Sequence, residues 1–383
     1  MNGRIRLEYQ ADCIEATLAS HRVRTRVAGG TVTPRFVRFD LRPAPGTRIR
    51  RIHALSEELA LALNAPACRV YRRRGSVQVE VPRDRPAKVR FQRVCARLYD
   101  VPPCSALLGL DEEGLPVLLR LPSADVAHVL IAGGTGSGKT VLARTMALSL
   151  ARYNPPRRLQ LVLIDPKRRG FGRLAPLPHL LTPLIHRPER AAEVLSRLVA
   201  EMERRDLRAG ISYGDCAQRV VVMIDELADL ILAGGRDLER PLTRLAQRGR
   251  EAGIHLIACT QRPTASVIGG LIKSNFPVRI VGSVASAIDA KVAAGLPRTG
   301  AERLLGRGDF LVVARGQQFR VQGAYAGPSE MRRLVRELVQ SKRAHTRRAP
   351  RPQPSTPLAD LGERISSATQ LLFHRLPALA PAR

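Results

Sequence analysis

The stretch "HVLIAGGTGSGKTVLART", His128 to Thr145, fits the pattern G-x-x-x-x-G-K-[ST] from Gly133 to Thr140. An apolar run enters it and a helix-like pattern leaves it. In that setting Gly133, Gly134, Thr135, Gly136, Ser137 and Gly138 let the backbone curl so that its N–H groups face a β-phosphate. Lys139 is placed to reach the β- and γ-phosphates, the Thr140 hydroxyl to ligate Mg²⁺, and the following helix adds its positive end. A second run, "RVVVMIDE", ends in Asp225 and Glu226. A carboxylate at the tip of a neighbouring strand can hold the Mg²⁺ shell, and a second beside it can orient and deprotonate the attacking water. The competing reading makes both acids caps for the helix "LADLIL". "LVLIDPK" and "IHLIACTQRP" put Asp165, Lys167, Thr260 and Gln261 at further strand ends, where a polar group can sense the γ-phosphate. "RLAQRGREAGIHL" carries Arg244, Arg248 and Arg250. Residue physics leaves these balanced between an arginine finger and a solvated helix end.

The elements that must position these groups follow from periodicity. From about 106 to 335, continuous apolar runs ("HVLIAG", "LQLVLID", "RVVVMID", "IHLIACT", "VRIVG") alternate with amphipathic helices. Strands apolar on both faces belong to a parallel sheet covered by helices. "DFLVVARG" and "QFRVQGAY" read as a closing hairpin. Residues 1–105 read as a small α/β domain: "IEATLAS" and "IHALSEELALALN" as helices, "TVTPRFVRFDL" and "SVQVEVP" as alternating strands. Residues 336–383 read as a basic, Pro-rich linker followed by one short amphipathic helix over "LADLGERISSATQLLFHRL". The expected fold class is α/β, a mainly parallel P-loop sheet preceded by the small domain.

The charge suggests what such a site acts on. Lys and Arg number 63 against 33 Asp and Glu, a net +30, which points to a polyanion such as DNA. Only six of those cations are lysines. The six cysteines form no C-x-x-C pair and no His stands at metal spacing, so zinc is not expected. No run reaches the ~18 apolar residues of a membrane span, and "MNGRIRLEYQ" lacks a signal-peptide core. A cytoplasmic setting is expected.

With these motifs in hand, the chain resembles the FtsK/SpoIIIE DNA translocases from about residue 15 to 335. The resemblance rests on "AGGTGSGKT", "LIDPK", "LPHLLTP", "AEMERR", "VVMIDELADL", "RLAQRGREAGIHLIACTQRP", "VIGGLIKSNFPVRI" and "AERLLGRGDFL", with "TPRFVRFDLRPAPGTRIRRIHALSEELALAL" similar to the family's α domain. It implies a RecA-like ATPase motor, ATP and Mg²⁺, a homo-hexameric ring and double-stranded DNA passing through its pore. Residue by residue it implies Lys139 and Thr140 for the nucleotide and metal, Asp225 and Glu226 for metal and water, and Arg250 as the finger acting in trans. It implies Arg262, Lys273 and Lys291 as DNA contacts. The chain departs from the family at Ala287, where a cation is common. Neither the family's N-terminal membrane domain nor its C-terminal winged-helix γ domain is expected from these residues, and a membrane or recombination partner stays unidentified. The expected role is ATP-dependent DNA translocation in chromosome or DNA segregation. Its rivals are a mobile-element motor that transfers double-stranded DNA, as conjugative plasmids do, and a non-motor ATP switch that scaffolds other proteins on DNA.

Overall fold

The computed structural model describes residues 3–73, 75–84, 87–207, 218–261, 275–347 and 373–375. The chain divides into two compact units. One comprises residues 1–88 with 112–114, the other the remainder.

The smaller unit runs α1 (Gly3–Ser20), β1 (Thr25–Val32), β2 (Phe36–Pro43), α2 (Ile49–Ala54), α3 (Ser56–Ala62), β3 (Arg69–Arg73) and β4 (Ser76–Pro82). Its antiparallel sheet has the order β1-β2-β4-β3. "TVTPRFVRFDL" is not one strand. Pro34 forces a turn, closed by Thr33, whose hydroxyl accepts the Phe36 N–H at 3.0 Å. Ile14 and Leu18 of α1, Ile52 and Leu59 of the helices and Phe39, Leu41 and Val79 of the sheet form the core.

The larger unit is built on one mixed sheet. In chain order it contains α4 (Phe91–Cys95), β5 (Ser105–Asp111), β6 (Pro116–Arg120), β7 (Val129–Ala132), α5 (Lys139–Tyr153), β8 (Leu159–Ile164), α6 (Pro188–Leu207), β9 (Arg219–Ile224), α7 (Leu227–Arg248), β10 (Ile254–Thr260), β11 (Val278–Val281), α8 (Ala287–Ala294), β12 (Asp309–Ala314), β13 (Gln317–Gly323), α9 (Pro328–Arg347) and β14 (Phe373–Arg375). The strand order is β14-β6-β5-β13-β12-β11-β7-β10-β9-β8. β11, β7, β10, β9 and β8 are parallel. From β12 outward the pairing is antiparallel, so about half the sheet departs from the parallel pattern. β12 and β13 are the expected closing hairpin; β5 and β6 form a second one. Phe373–Arg375 is a strand against β6, so the expected tail helix does not run through those residues.

The apolar strands are buried on both faces, as their unbroken hydrophobicity requires. Val129, Leu161, Met223 and Ile257 face α5 and α9, while Leu130, Val162, Val222 and Leu256 face α6 and α7. Each such side chain contributes about 1.5–3 kcal/mol. This core fixes the carboxyl ends of five strands in one row, and the sequence places its polar residues there. Among the described residues no helix is long and apolar enough to cross a membrane.

Candidate functional site

The glycine loop joins β7 to α5. Gly138 caps α5 in the left-handed region, φ 103°, and a Cβ there would lie 2.9 Å from the Gly308 amide. Glycine is therefore required both by conformation and by space. The loop is fixed to its neighbours by backbone bonds: Gly133 N–H to Thr260 C=O at 3.3 Å, Gly134 N–H to Ser283 C=O at 2.7 Å. The Ser137 hydroxyl closes it internally on the Gly134 carbonyl at 2.7 Å. Lys139 is buried and donates to the carbonyls of Gly133 (2.7 Å) and Gly134 (2.9 Å). Burial lowers its pKa, so an anion brought into the loop stabilises its charged form.

Thr140 and Asp225 meet: the hydroxyl donates to Asp225 Oδ1 at 2.8 Å. Glu226, 2% exposed, accepts the Gln261 N–H at 3.0 and 3.3 Å, and Lys167 lies 3.8 Å away. Burial raises both carboxyl pKa values; the Thr140 hydroxyl opposes this at Asp225, and the Gln261 N–H and Lys167 oppose it at Glu226. Two buried acids held in this way favour a nearby cation. The donor set fits Mg²⁺, a hydroxyl beside a carboxylate with no soft ligand.

Gln261 links both halves of the site. Its amide holds Glu226, and its side-chain Oε1 accepts the Thr135 hydroxyl at 3.2 Å. Asp165 does not face the site as a free carboxylate. It accepts the amides of Arg169 (3.3 Å), Gly170 (2.8 Å) and Phe171 (3.0 Å), which fixes the turn after β8. Lys167 is committed to Asp229 at 2.7 Å. Sequence reasoning missed Gly170, where a Cβ would stand 2.6 Å from Asp225 Cγ and Oδ2. It also missed Arg144, whose guanidinium holds the carbonyls of Gly170 and, at 2.7 Å, Arg169. The lone signal was a glycine in "PKRRGFG" next to a cationic run.

The three candidate arginines separate. Arg244 pairs with Glu203 and Arg248 with Asp206, each at 2.6 Å. Arg250 is exposed, and among the described residues its guanidinium has no hydrogen bond or ion pair. It stands on the turn before β10, at the opposite end of that strand from Gln261.

A family model described as the FtsK/SpoIIIE family matches residues 92–211 and 213–265, and one described as the FtsK alpha domain matches residues 3–83. The chain belongs to the FtsK/SpoIIIE family. It is 35% identical over 367 residues to a DNA translocase FtsK of Sporosarcina ureae, covering 88% of this chain and 46% of that one. It is 39% identical over 320 residues to the DNA translocase FtsK of Helicobacter pylori strain J99, covering 78% and 37%. To DNA translocase SftA of Bacillus subtilis it is 36% identical over 354 residues, covering 86% and 37%. The chain thus spans less than half the length of these relatives. Among solved structures it is similar to the conjugation coupling protein TcpA in a monomer form with ATPγS. That match has TM-score 0.60 and 20% identity, and covers 87% of this chain and 99% of that one. This likeness shows the fold of the P-loop ATPases. Of the residues the FtsK/SpoIIIE resemblance assigns to DNA, Lys291 lies exposed on α8, while Arg262 and Lys273 lie outside the described residues.

Proposed function

We propose that this chain is the motor part of an ATP-driven double-stranded DNA translocase that works as a homo-hexameric ring in DNA segregation. The observation that carries the proposal is the division of one hydrolytic set between two edges of the sheet. The glycine loop, Thr140, Asp225 and Glu226 converge at one edge, while Arg250, without a partner among the described residues, stands exposed at the other. Such a set closes only between copies of the chain.

On this reading Gly133 to Gly138 and Lys139 bind the phosphates. Thr140 and Asp225 would hold Mg²⁺, which when bound polarises the phosphoryl oxygens. Glu226, held by the Gln261 amide, orients and deprotonates the attacking water. Gln261 reports loss of the γ-phosphate, since Thr135 and Glu226 both touch it. Arg262, Lys273 and Lys291 grip DNA phosphates without reading bases. The names of the curated relatives support translocation, and the net +30 supports a polyanionic track. A cytoplasmic location fits this work.

The test is ATPase rate with and without duplex DNA, coupled to displacement of a third strand from a triplex. A steep rise in ATPase with strand displacement is expected. ATP turnover without displacement would identify a switch instead of a motor.

A further inference from the structure

The turn preceding β12, from "AERLLGRGDFL", lies against the glycine loop from its carbonyl side. The Arg307 N–H donates to the Gly136 carbonyl at 3.0 Å and the Gly308 N–H to the Ser137 carbonyl at 2.8 Å. These two bonds hold the Gly136 and Ser137 carbonyls against the turn, so that neither carbonyl faces an anion in the loop. The turn is itself braced. Asp309, 1% exposed, accepts the Leu305 N–H at 2.9 Å and both arms of Arg320 at 2.7 Å. The Gly323 N–H ties the Gly308 carbonyl at 2.7 Å.

Within this rigid clasp Arg307 is anomalous. It sits in the left-handed region, φ 49°, between two glycines that also have positive φ. A side chain there costs free energy that glycine would avoid. The residue is exposed, and among the described residues its guanidinium has no hydrogen bond or ion pair. The charge around the site also lacks balance. Lys167 is paired with Asp229, and Arg144 is spent on two carbonyls. A triphosphate brings more negative charge than Lys139 neutralises.

We infer that Arg307 is a nucleotide-binding residue, its guanidinium folding over the glycine loop onto the phosphate chain of a nucleoside di- or triphosphate held by the same subunit. This rests on the nucleotide site proposed above. The backbone clasp shapes the loop; the side chain adds the cation.

The two roles are separable because Ala and Gly keep the Arg307 N–H. The experiment titrates a fluorescent ADP and a fluorescent non-hydrolysable ATP analogue, each with Mg²⁺, into the full chain. Wild type, Arg307→Ala, Arg307→Gly, Arg307→Lys and Lys139→Ala are compared at low and moderate salt. Loss of one charge-assisted contact predicts roughly tenfold weaker binding of both nucleotides in the Ala and Gly variants. Arg307→Lys should stay within about threefold of wild type, and the Ala defect should shrink as salt rises. Arg307→Gly removes the backbone strain, so a defect shared by Ala and Gly belongs to the guanidinium. Wild-type affinity in both would leave only the backbone clasp and overturn the inference. A defect seen only at concentrations where subunits assemble would also overturn it, by placing the contact on a neighbour's nucleotide. If wild type and Lys139→Ala bind equally, the nucleotide site itself is wrong, which is a different result from an inert Arg307.

Discussion

Arg250→Ala is the perturbation that separates a shared site from a self-contained one. β10 has seven residues from Ile254 to Thr260. At ~3.3 Å per residue it spans roughly 20 Å, and the Thr260 carbonyl already touches the glycine loop. Arg250 precedes the strand, and an extended arginine reaches roughly 7 Å. It cannot meet a phosphate in its own loop. The turn that presents it is stiff: Gly253 N–H bonds the Arg250 carbonyl at 3.0 Å, Ile254 N–H bonds the Gly249 carbonyl at 2.7 Å, and Arg205 holds the Ala252 carbonyl at 2.8 Å. A finger in trans is worth about 10³–10⁵ in rate, or about 4–7 kcal/mol of barrier. Arg250→Ala should therefore bind ATP as wild type does and lose nearly all DNA-stimulated turnover. Mixed with Lys139→Ala, random assembly gives roughly a quarter of interfaces with an intact loop and an intact finger, and a matching share of activity returns. The assay is DNA-stimulated ATPase of each variant alone and of the mixture, with native mass spectrometry to show mixed rings. Full activity of Arg250→Ala alone, or no recovery in rings proven mixed, would refute the trans assignment.

The remaining expectations follow from the same geometry. Lys139→Ala should abolish nucleotide binding, whereas Glu226→Gln should bind ATP and stay on DNA without turnover; wild-type turnover in Glu226→Gln would remove its role in water activation. Gly170→Ala presses a methyl onto Asp225, so stability should fall by about 1–3 kcal/mol and Mg²⁺-dependent turnover should fall further, as read by thermal melts and ATPase at varied Mg²⁺. A normal melt with normal Mg²⁺ dependence would show that the turn yields freely. Burial lowers the pKa of His128 to about 4 and of His255 to about 3, below the ~6.5 of an unfolded chain. The unfolded state therefore takes up protons first, and stability falls as pH drops from 7 towards 4. The slope approaches about 1.4 kcal/mol per pH unit for each histidine, opposed in part by Asp225 and Glu226, whose pKa values are raised. Urea midpoints across that range should be steep in wild type and flatter in a His128→Asn/His255→Asn double variant; equal slopes would locate the acid sensitivity elsewhere.

Local chemistry was the legible part. Gly133 to Thr140 is one contiguous signal, and Asp225 and Glu226 follow directly from a strand apolar on both faces. The parallel half of the sheet was readable for that reason. Its antiparallel half was less so, because "SALLGL" and "PVLLR" are short apolar runs with no period to distinguish them. The larger misses are tertiary. Nothing in "LIDPKRRGFG" shows that the Asp165 carboxylate is saturated by three amides of its own turn, or that Gly170 must lack a Cβ because Asp225 passes beside it. Residue physics also left Arg250 level with Arg244 and Arg248, and only the family resemblance singled it out; the physical basis of the separation was hidden. It depends on Glu203 and Asp206 of α6, which pair with two of the three and leave the third exposed.

The glycine loop also suggests how a phosphate step could become a mechanical one. Its first amide is tied to the Thr260 carbonyl, and the next residue in chain is Gln261, whose own amide holds Glu226. Its second amide is tied to the Ser283 carbonyl at 2.7 Å. Three residues on, Ser286 caps α8, its hydroxyl accepting the Asp289 N–H at 3.1 Å, and that helix carries the exposed Lys291. Gly282 leaves no slack between them, since a Cβ there would stand 2.7 Å from Ser137 Cβ. A shift of the loop on losing a γ-phosphate has three ways out: β10, bonded to Gly133, the Ser283 segment leading into α8, bonded to Gly134, and the Arg307 turn, bonded to Gly136 and Ser137. In the proposed motor, the path from Gly134 through Ser283 is the one that ends on a cation suited to DNA phosphates, Lys291 of α8.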